Sequence, residues 1–213
     1  MKKVITIGVF LVFFISCKQN KKQVLYANDY EKEVYAVINE GYLPFLLVLL
    51  EEAKEYNKAD KQLFEVPIPI EQIHMAKFKK YISKEYTFTK ENLEKIALWE
   101  DHKLDQVLLI KNELREKLYK LREDNDAMFM KNSFENTKEY IEAVKYYFDL
   151  WEQEIGLSYT SITVPVFNVN FDKAIMHTVR HDSGHCGFGS DGWYEFEKTN
   201  GKWKMARDLL ELD

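Results

Sequence analysis

Hydrophobic positions along this chain change period once, near Gly156, and that change organises the molecule. Before it, apolar residues recur at roughly helical spacing; after it, they alternate with polar ones. Tyr30, Val34, Val37 and Ile38 share one helical stripe within Tyr30–Glu40, and Gly41 follows as a natural stop. Leu43 to Leu50 is nearly all apolar around Pro44. Periodicity does not separate a buried helix from a buried strand there, but the polar stretch Glu51 to Asn57 favours a helix emerging to solvent. Val66-Pro67-Ile68-Pro69-Ile70 reads as extended, a connector or an edge strand, because each proline fixes its own backbone and pushes its predecessor out of helical space.

Ile73, Lys77, Phe78 and Tyr81 then suggest a short helix. Thr89 can cap a longer one in which Leu93, Ile96, Ala97, Leu104, Val107, Leu108, Leu114, Leu118 and Leu121 recur at roughly helical spacing, with charges giving it a wet face. Asn136 to Glu139 forms an Asx version of a capping box, and Tyr140, Ile141, Val144, Tyr147, Phe148, Trp151 and Ile155 make a broad apolar stripe ending before Gly156. Tyr146, Tyr147, Phe148 and Trp151 fit core packing at that spacing, with a ligand groove as the alternative.

Beyond Gly156, strands are predicted over Ser161–Phe167, Ala174–His181 and Trp193–Lys198, then from Trp203 onward. A polar turn around Phe171 spans Asn168 to Lys173, and Asn200-Gly201 between alternating runs signals a hairpin. The expected fold class is α+β, amino-terminal helices packed on a carboxy-terminal antiparallel β-meander. The expected organisation is a single domain over residues 28–213, with 28–156 mainly helical and 157–213 mainly β.

The first 27 residues follow a different logic. Lys2 and Lys3 precede an apolar run from Val4 to Ile15, then Ser16, Cys17 and a polar Lys18-Gln19-Asn20-Lys21-Lys22 stretch. A basic start, a short apolar middle and a small residue at the cut make a signal peptide over 1–16. The run is shorter than the roughly 20 residues that cross a bilayer core. Phe14-Ile15-Ser16-Cys17 resembles the lipobox of bacterial lipoproteins, with Phe14 where Leu is usual. The resemblance implies that the Cys17 thiol is acylated and that 17–27 is a lipidated tether; a plain secretory signal and an uncleaved anchor are the alternatives.

Charge and cysteine use narrow the partners. The formal charge of −5 becomes −7 once Lys2 and Lys3 leave with the signal, and such a surface offers no phosphate-binding patch, so no nucleic-acid partner is expected. With Cys17 lipidated, only Cys186 remains, which excludes an intramolecular disulfide.

The densest chemistry lies in His181-Asp182-Ser183-Gly184-His185-Cys186 and the glycine-rich residues up to Gly192. Imidazole, carboxylate and thiolate bind zinc, so His181, Asp182, His185 and Cys186 are the candidate metal ligands if this loop folds back on itself. A Cys186 nucleophile assisted by His181 or His185 is a second possibility. The bland reading is a turn whose glycines permit positive φ and whose polar residues face water. No Cys-x-x-Cys or His-Glu-x-x-His spacing is present. His177 is left out, since four residues along a strand separate it from His181 by about 13 Å.

Pro165-Val166-Phe167, Asp172-Lys173-Ala174, Gly187 and Gly189, and Asn200-Gly201-Lys202-Trp203-Lys204 together resemble the carboxy-terminal part of small lipoproteins of Bacteroidota, of the flavobacterial type. That resemblance is silent on activity. Because Lys18 to Lys22 carries no acidic residue, it implies the periplasmic face of the outer membrane more than the cell surface. The expectation is a membrane-anchored envelope lipoprotein, a non-enzymatic binding or assembly module for an envelope protein or ligand, needing no cofactor. The alternative is a metal- or thiol-dependent hydrolase built on His181 to Cys186, with zinc as its cofactor.

Overall fold

A computed structural model describes residues 26–52, 62–68, 86, 95–105, 107–131, 138–156, 158–182 and 191–209. The fold is α+β, as expected: a helix-rich amino-terminal region packs on a carboxy-terminal set of antiparallel strands. The strands are β1 Gln62–Phe64, β2 Leu108–Ile110, β3 Ser158–Ile162, β4 Val166–Phe167, β5 Lys173–Asp182, β6 Asp191–Thr199 and β7 Lys202–Asp208. They form one sheet in the order β2-β1-β3-β5-β6-β7, with β4 also on β5. The expected meander is its antiparallel part, and β1 and β2 extend it with two parallel pairings.

The first helix departs from expectation at Gly41. Helix α1, Asp29–Ala36, starts where Asn28 accepts the Glu31 N–H at 2.8 Å while the Glu31 carboxylate accepts the Ala27 N–H, a reciprocal cap. Instead of stopping, the chain runs through a π-helical segment, Val37–Tyr42, into α2, Leu43–Glu52. Pro44 has no N–H to give to the Glu40 carbonyl, and the wider turn, in which Leu43 donates to the Ile38 carbonyl, absorbs that break. Gly41 serves close approach: a Cβ there would lie 2.7 Å from the Phe196 ring. The helical reading of Leu43 to Leu50 holds.

The long helix expected after Thr89 is corrected. Residues 95–105 contain only a short 3-10 turn, Asp101–Lys103; Leu108 opens β2; and helix α3 begins at Asn112 and runs to Lys131. Pairing of Leu108–Ile110 with Gln62–Phe64 overrides the helical spacing, since three apolar residues in a row serve either element. The expected helix over Ile73 to Tyr81, the Thr89 cap and the Asn136 cap lie outside the described residues. Helix α4, Lys138–Glu154, is as expected and packs against α3. Its stripe is narrower than the sequence implies, because Ile141 is exposed whereas Leu150, Trp151 and Ile155 are buried.

Both faces of the sheet are covered, and adjacent residues show it. Leu63, Ile162, Ala174, Met176, Phe196 and Trp203 join Val34, Tyr35, Ile38 and Tyr42 of the first helical segment in one core. Phe64 and Tyr159 join Leu118, Leu150, Trp151 and Ile155 in a second core beneath α3 and α4. Two turns are as the sequence implies. Asn200 and Gly201 both have positive φ, 53° and 76°, as a two-residue hairpin loop requires. Asn168 Oδ1 accepts the N–H groups of Asp172 and Lys173, while Phe171 stacks on Phe167.

Candidate functional site

Strand β5 delivers two histidines to one face of the sheet, and each finds its own partners. The His181 ring lies flat on Tyr159, its cross-strand neighbour, with centroids 4.6 Å apart and planes at 14°. Its Nε2 is 3.0 Å from Ser161 Oγ. His177 Nε2 meets the Asp191 carboxylate, its ring contacts Trp193 at 4.5 Å, and its N–H donates to Thr163 Oγ1. Separate partners are what an extended strand dictates for positions four apart.

The candidate zinc ligands are thus only partly placed. His181 and Asp182 end β5, with Asp182 opposite Ser158 in register. His185 and Cys186 lie outside the described residues. Among the described residues, no three His, Cys, Asp or Glu side chains gather as metal ligands. The Ser161–His181 contact has the spacing of a nucleophile and its base. Ser161, however, is only 3 % exposed and sits inside a paired strand, so a substrate has no approach to it in this arrangement.

Behind His181, the same Tyr159 ring organises a second cluster. Arg115, in the first turn of α3, lays its guanidinium 4.5 Å from the Phe64 ring centroid and 4.7 Å from that of Tyr119. Its Nη2 donates to the Tyr119 hydroxyl at 3.2 Å, and both side chains hydrogen-bond the Tyr159 hydroxyl. Burial first, then the Tyr119 hydroxyl beside it, pushes the Tyr159 hydroxyl well above the ordinary tyrosine range, so it remains protonated at neutral pH. The Trp151 ring packs on Tyr159 with centroids 5.8 Å apart, and Tyr147 flanks Trp151 at 6.2 Å.

Two donors in this box point at nothing. Arg115 Nε and Trp151 Nε1 are both buried without an acceptor among the described residues. A buried donor left in that state costs about 1–3 kcal/mol. No carboxylate among the described residues pairs with Arg115. Trp99 Nε1, in the core under the first helix, also lacks an acceptor, but the cation in that cluster, Lys103, is already closed by Glu31 at 2.9 Å and Glu100 at 2.6 Å.

Sequence reasoning therefore reached part of this region. Tyr147 and Trp151 stand in the box, Phe148 is half-buried beside Tyr147, and Tyr146 faces solvent. Arg115, Tyr119, Tyr159 and Ser161 were missed. The available signal was Arg115 and Tyr119 at i, i+4, a spacing that stacks a cation on a ring along one helix face. Comparison with known proteins finds no matching family model, no matching curated protein and no matching solved structure.

Proposed function

We propose that this chain is a lipid-anchored bacterial envelope lipoprotein whose domain is a non-enzymatic binding module. Cys17, acylated after removal of 1–16, holds it to the membrane, with the domain facing the periplasm from the outer membrane. The observation that carries the anchor is the basic, apolar, small-residue, Cys17 order followed at once by a polar stretch. Tyr26 already packs against Tyr35 and Ala27 already joins the α1 cap. The tether is accordingly short: the residues from Cys17 to Tyr26, fully extended, span at most about 30 Å, so any partner is met close to the membrane. The binding reading is supported by a cation and donors held beside aromatic rings, with the Ser161–His181 pair shut inside the sheet.

Growing cells with labelled palmitate tests the anchor. Label on the wild-type chain that disappears in Cys17→Ala, with release of the variant from the membrane fraction, is the expected result. An unlabelled wild-type chain would sink the anchor.

A further inference from the structure

We infer that the turn at residues 168–172 is a membrane-contact point, at which Val169 and Phe171 enter the interface of the bilayer that holds the lipid anchor. This rests on the lipid-anchor reading above and adds how the domain sits on the membrane. Two apolar side chains stand in water at the tip of this turn: Val169 is 73 % exposed and Phe171 39 %. Among the described residues, no other two large apolar side chains so exposed lie within three positions of each other. Phe171 is also held with φ at 56°, in the left-handed region that a bulky side chain rarely adopts. Asn or Gly makes such a turn at less cost, so the ring is kept there for what it contacts. Phe167 stacks on it at 5.1 Å and Tyr30 meets it edge-on at 6.5 Å, and the rest of the ring faces solvent.

The turn is built in advance. Asn168 Oδ1 accepts the Asp172 and Lys173 N–H groups at 3.1 Å, its Nδ2 donates to the Asp172 carboxylate at 2.6 Å, and the Phe171 N–H donates to the Asn168 carbonyl. Little ordering is left to oppose insertion. Position then names the occupant. Tyr30 lies in the first turn of α1, two residues beyond the Asn28 cap, and its ring packs edge-on against both Phe167 and Phe171. The tether therefore joins the domain beside this turn. With Cys17 at most about 30 Å from Tyr26, this is the end that the anchor keeps nearest the bilayer. Tethering raises the effective concentration of the contact to about millimolar, so two apolar side chains suffice where they would be marginal on a free protein.

The flanking groups suit a headgroup layer. Tyr30 is half-buried and amphipathic, and the Lys95 ammonium lies 5.6 Å from its ring centroid on a stem that can reach back to water. Lys95 and Lys173 share this end with Asp29 and Asp172, and such a mixed rim fits zwitterionic lipid better than an anionic surface.

The experiment uses the full chain, purified in detergent and returned to phosphatidylcholine vesicles doped with lipid spin-labelled just below the headgroup. In a Cys186→Ser background, Asn170→Cys carries a fluorescent dye between the two apolar residues, and Lys117→Cys, exposed on α3 at the other face of the sheet, carries it as the reference. Acylated Cys17 offers no thiol to the dye. The chain should float with the vesicles, and the dye at 170 should be quenched about threefold or more beyond the dye at 117. Val169→Ser and Phe171→Ser should each remove about half of that excess, and Val169→Ser carries the test if loss of the Phe167 stack leaves Phe171→Ser unfolded. Salt at about 0.5 M should leave the quenching within about twofold.

A chain that floats with its two dyes equally quenched overturns this inference and leaves the anchor standing. A chain that does not float overturns the anchor, and this inference with it. Excess quenching that survives unchanged in Val169→Ser assigns the contact to the dye and overturns the role of the turn. Shielding of the dye at 170 from aqueous iodide with no quenching by the lipid would put a second copy of the chain on the turn, and quenching abolished by salt would make the contact ionic; either overturns insertion.

Discussion

The two faces of the sheet hold their helices in opposite ways. Under the first helical segment, most polar atoms are closed in pairs, with the Trp99 indole N–H as an exception. The Glu33 carboxylate accepts Lys198 Nζ at 2.7 and 2.8 Å and Trp203 Nε1 at 2.9 Å, while Glu40 accepts the Trp203 backbone N–H at 3.0 Å. Asn39 ties in the 95–105 segment by donating to the Lys103 carbonyl and accepting from the Asp105 N–H. Under α3 and α4, contact is mainly ring on ring, and Arg115 and Trp151 keep unmet donors. Two buried indoles make the difference concrete, since Trp203 has its carboxylate and Trp151 has none.

Breaking the closed face should have the largest effect. Glu33→Ala strands Lys198 Nζ and the Trp203 indole together, and both ends of the pair are about three-quarters buried. A loss of about 3 kcal/mol in urea unfolding is expected, and a loss below about 1 kcal/mol would show that apolar packing alone docks the helix.

Next comes the direct contrast of the two indoles. Trp203→Phe removes the donor that Glu33 faces and should cost about 2 kcal/mol beyond the volume change. Trp151→Phe removes a donor with no partner, so relief of the unmet group offsets part of the lost packing and the net cost should stay within about 1 kcal/mol. Equal costs measured under identical urea conditions would erase the distinction between the faces.

Gly41→Ala probes the closed face more gently. The added methyl meets a Phe196 ring that is fully buried and fixed by its neighbours, and a cost of about 1–2 kcal/mol is expected despite the better helix propensity of Ala. No loss on thermal or urea unfolding would mean that Phe196 can move aside.

Gly41 also shows what a sequence reveals of its fold. Glycine after an amphipathic stripe reads as a helix stop, and only the Phe196 ring, far away in the chain, makes it a contact. The carboxy-terminal strands were legible because alternation and Asn200-Gly201 are local signals. Strands β1 and β2 were not, since three-residue apolar runs acquire an identity only by pairing with each other. The site divides the same way. His181 was singled out for its chemistry, but its actual partners, Ser161 and Tyr159, come from a register that no local pattern encodes. Arg115 looked like one more solvated charge until Phe64 and Tyr159 were folded against it.

The smallest expected effect distinguishes the faces by acid. Burial alone would raise the Glu31 carboxyl, but hydrogen bonds from Lys103 and the Ala27 N–H, with the Lys103 charge, outweigh it and hold the group below its ordinary value of 4.5. A carboxyl depressed in the folded state stabilises above its unfolded value and loses that contribution as pH falls through the folded one. The closed face should therefore weaken with acid below 4.5, by less than about 1 kcal/mol, since one member of the network, Glu100, is well exposed. Urea unfolding at neutral pH and at about pH 3.5 should show a smaller acid loss in Glu31→Gln than in the wild type. Arg115→Gln should retain the wild-type acid loss, because its cluster contains no carboxylate among the described residues. If Glu31→Gln loses as much as the wild type, Lys103 is held by Glu100 and packing alone, and the first helix is closed by fewer charges than the distances imply.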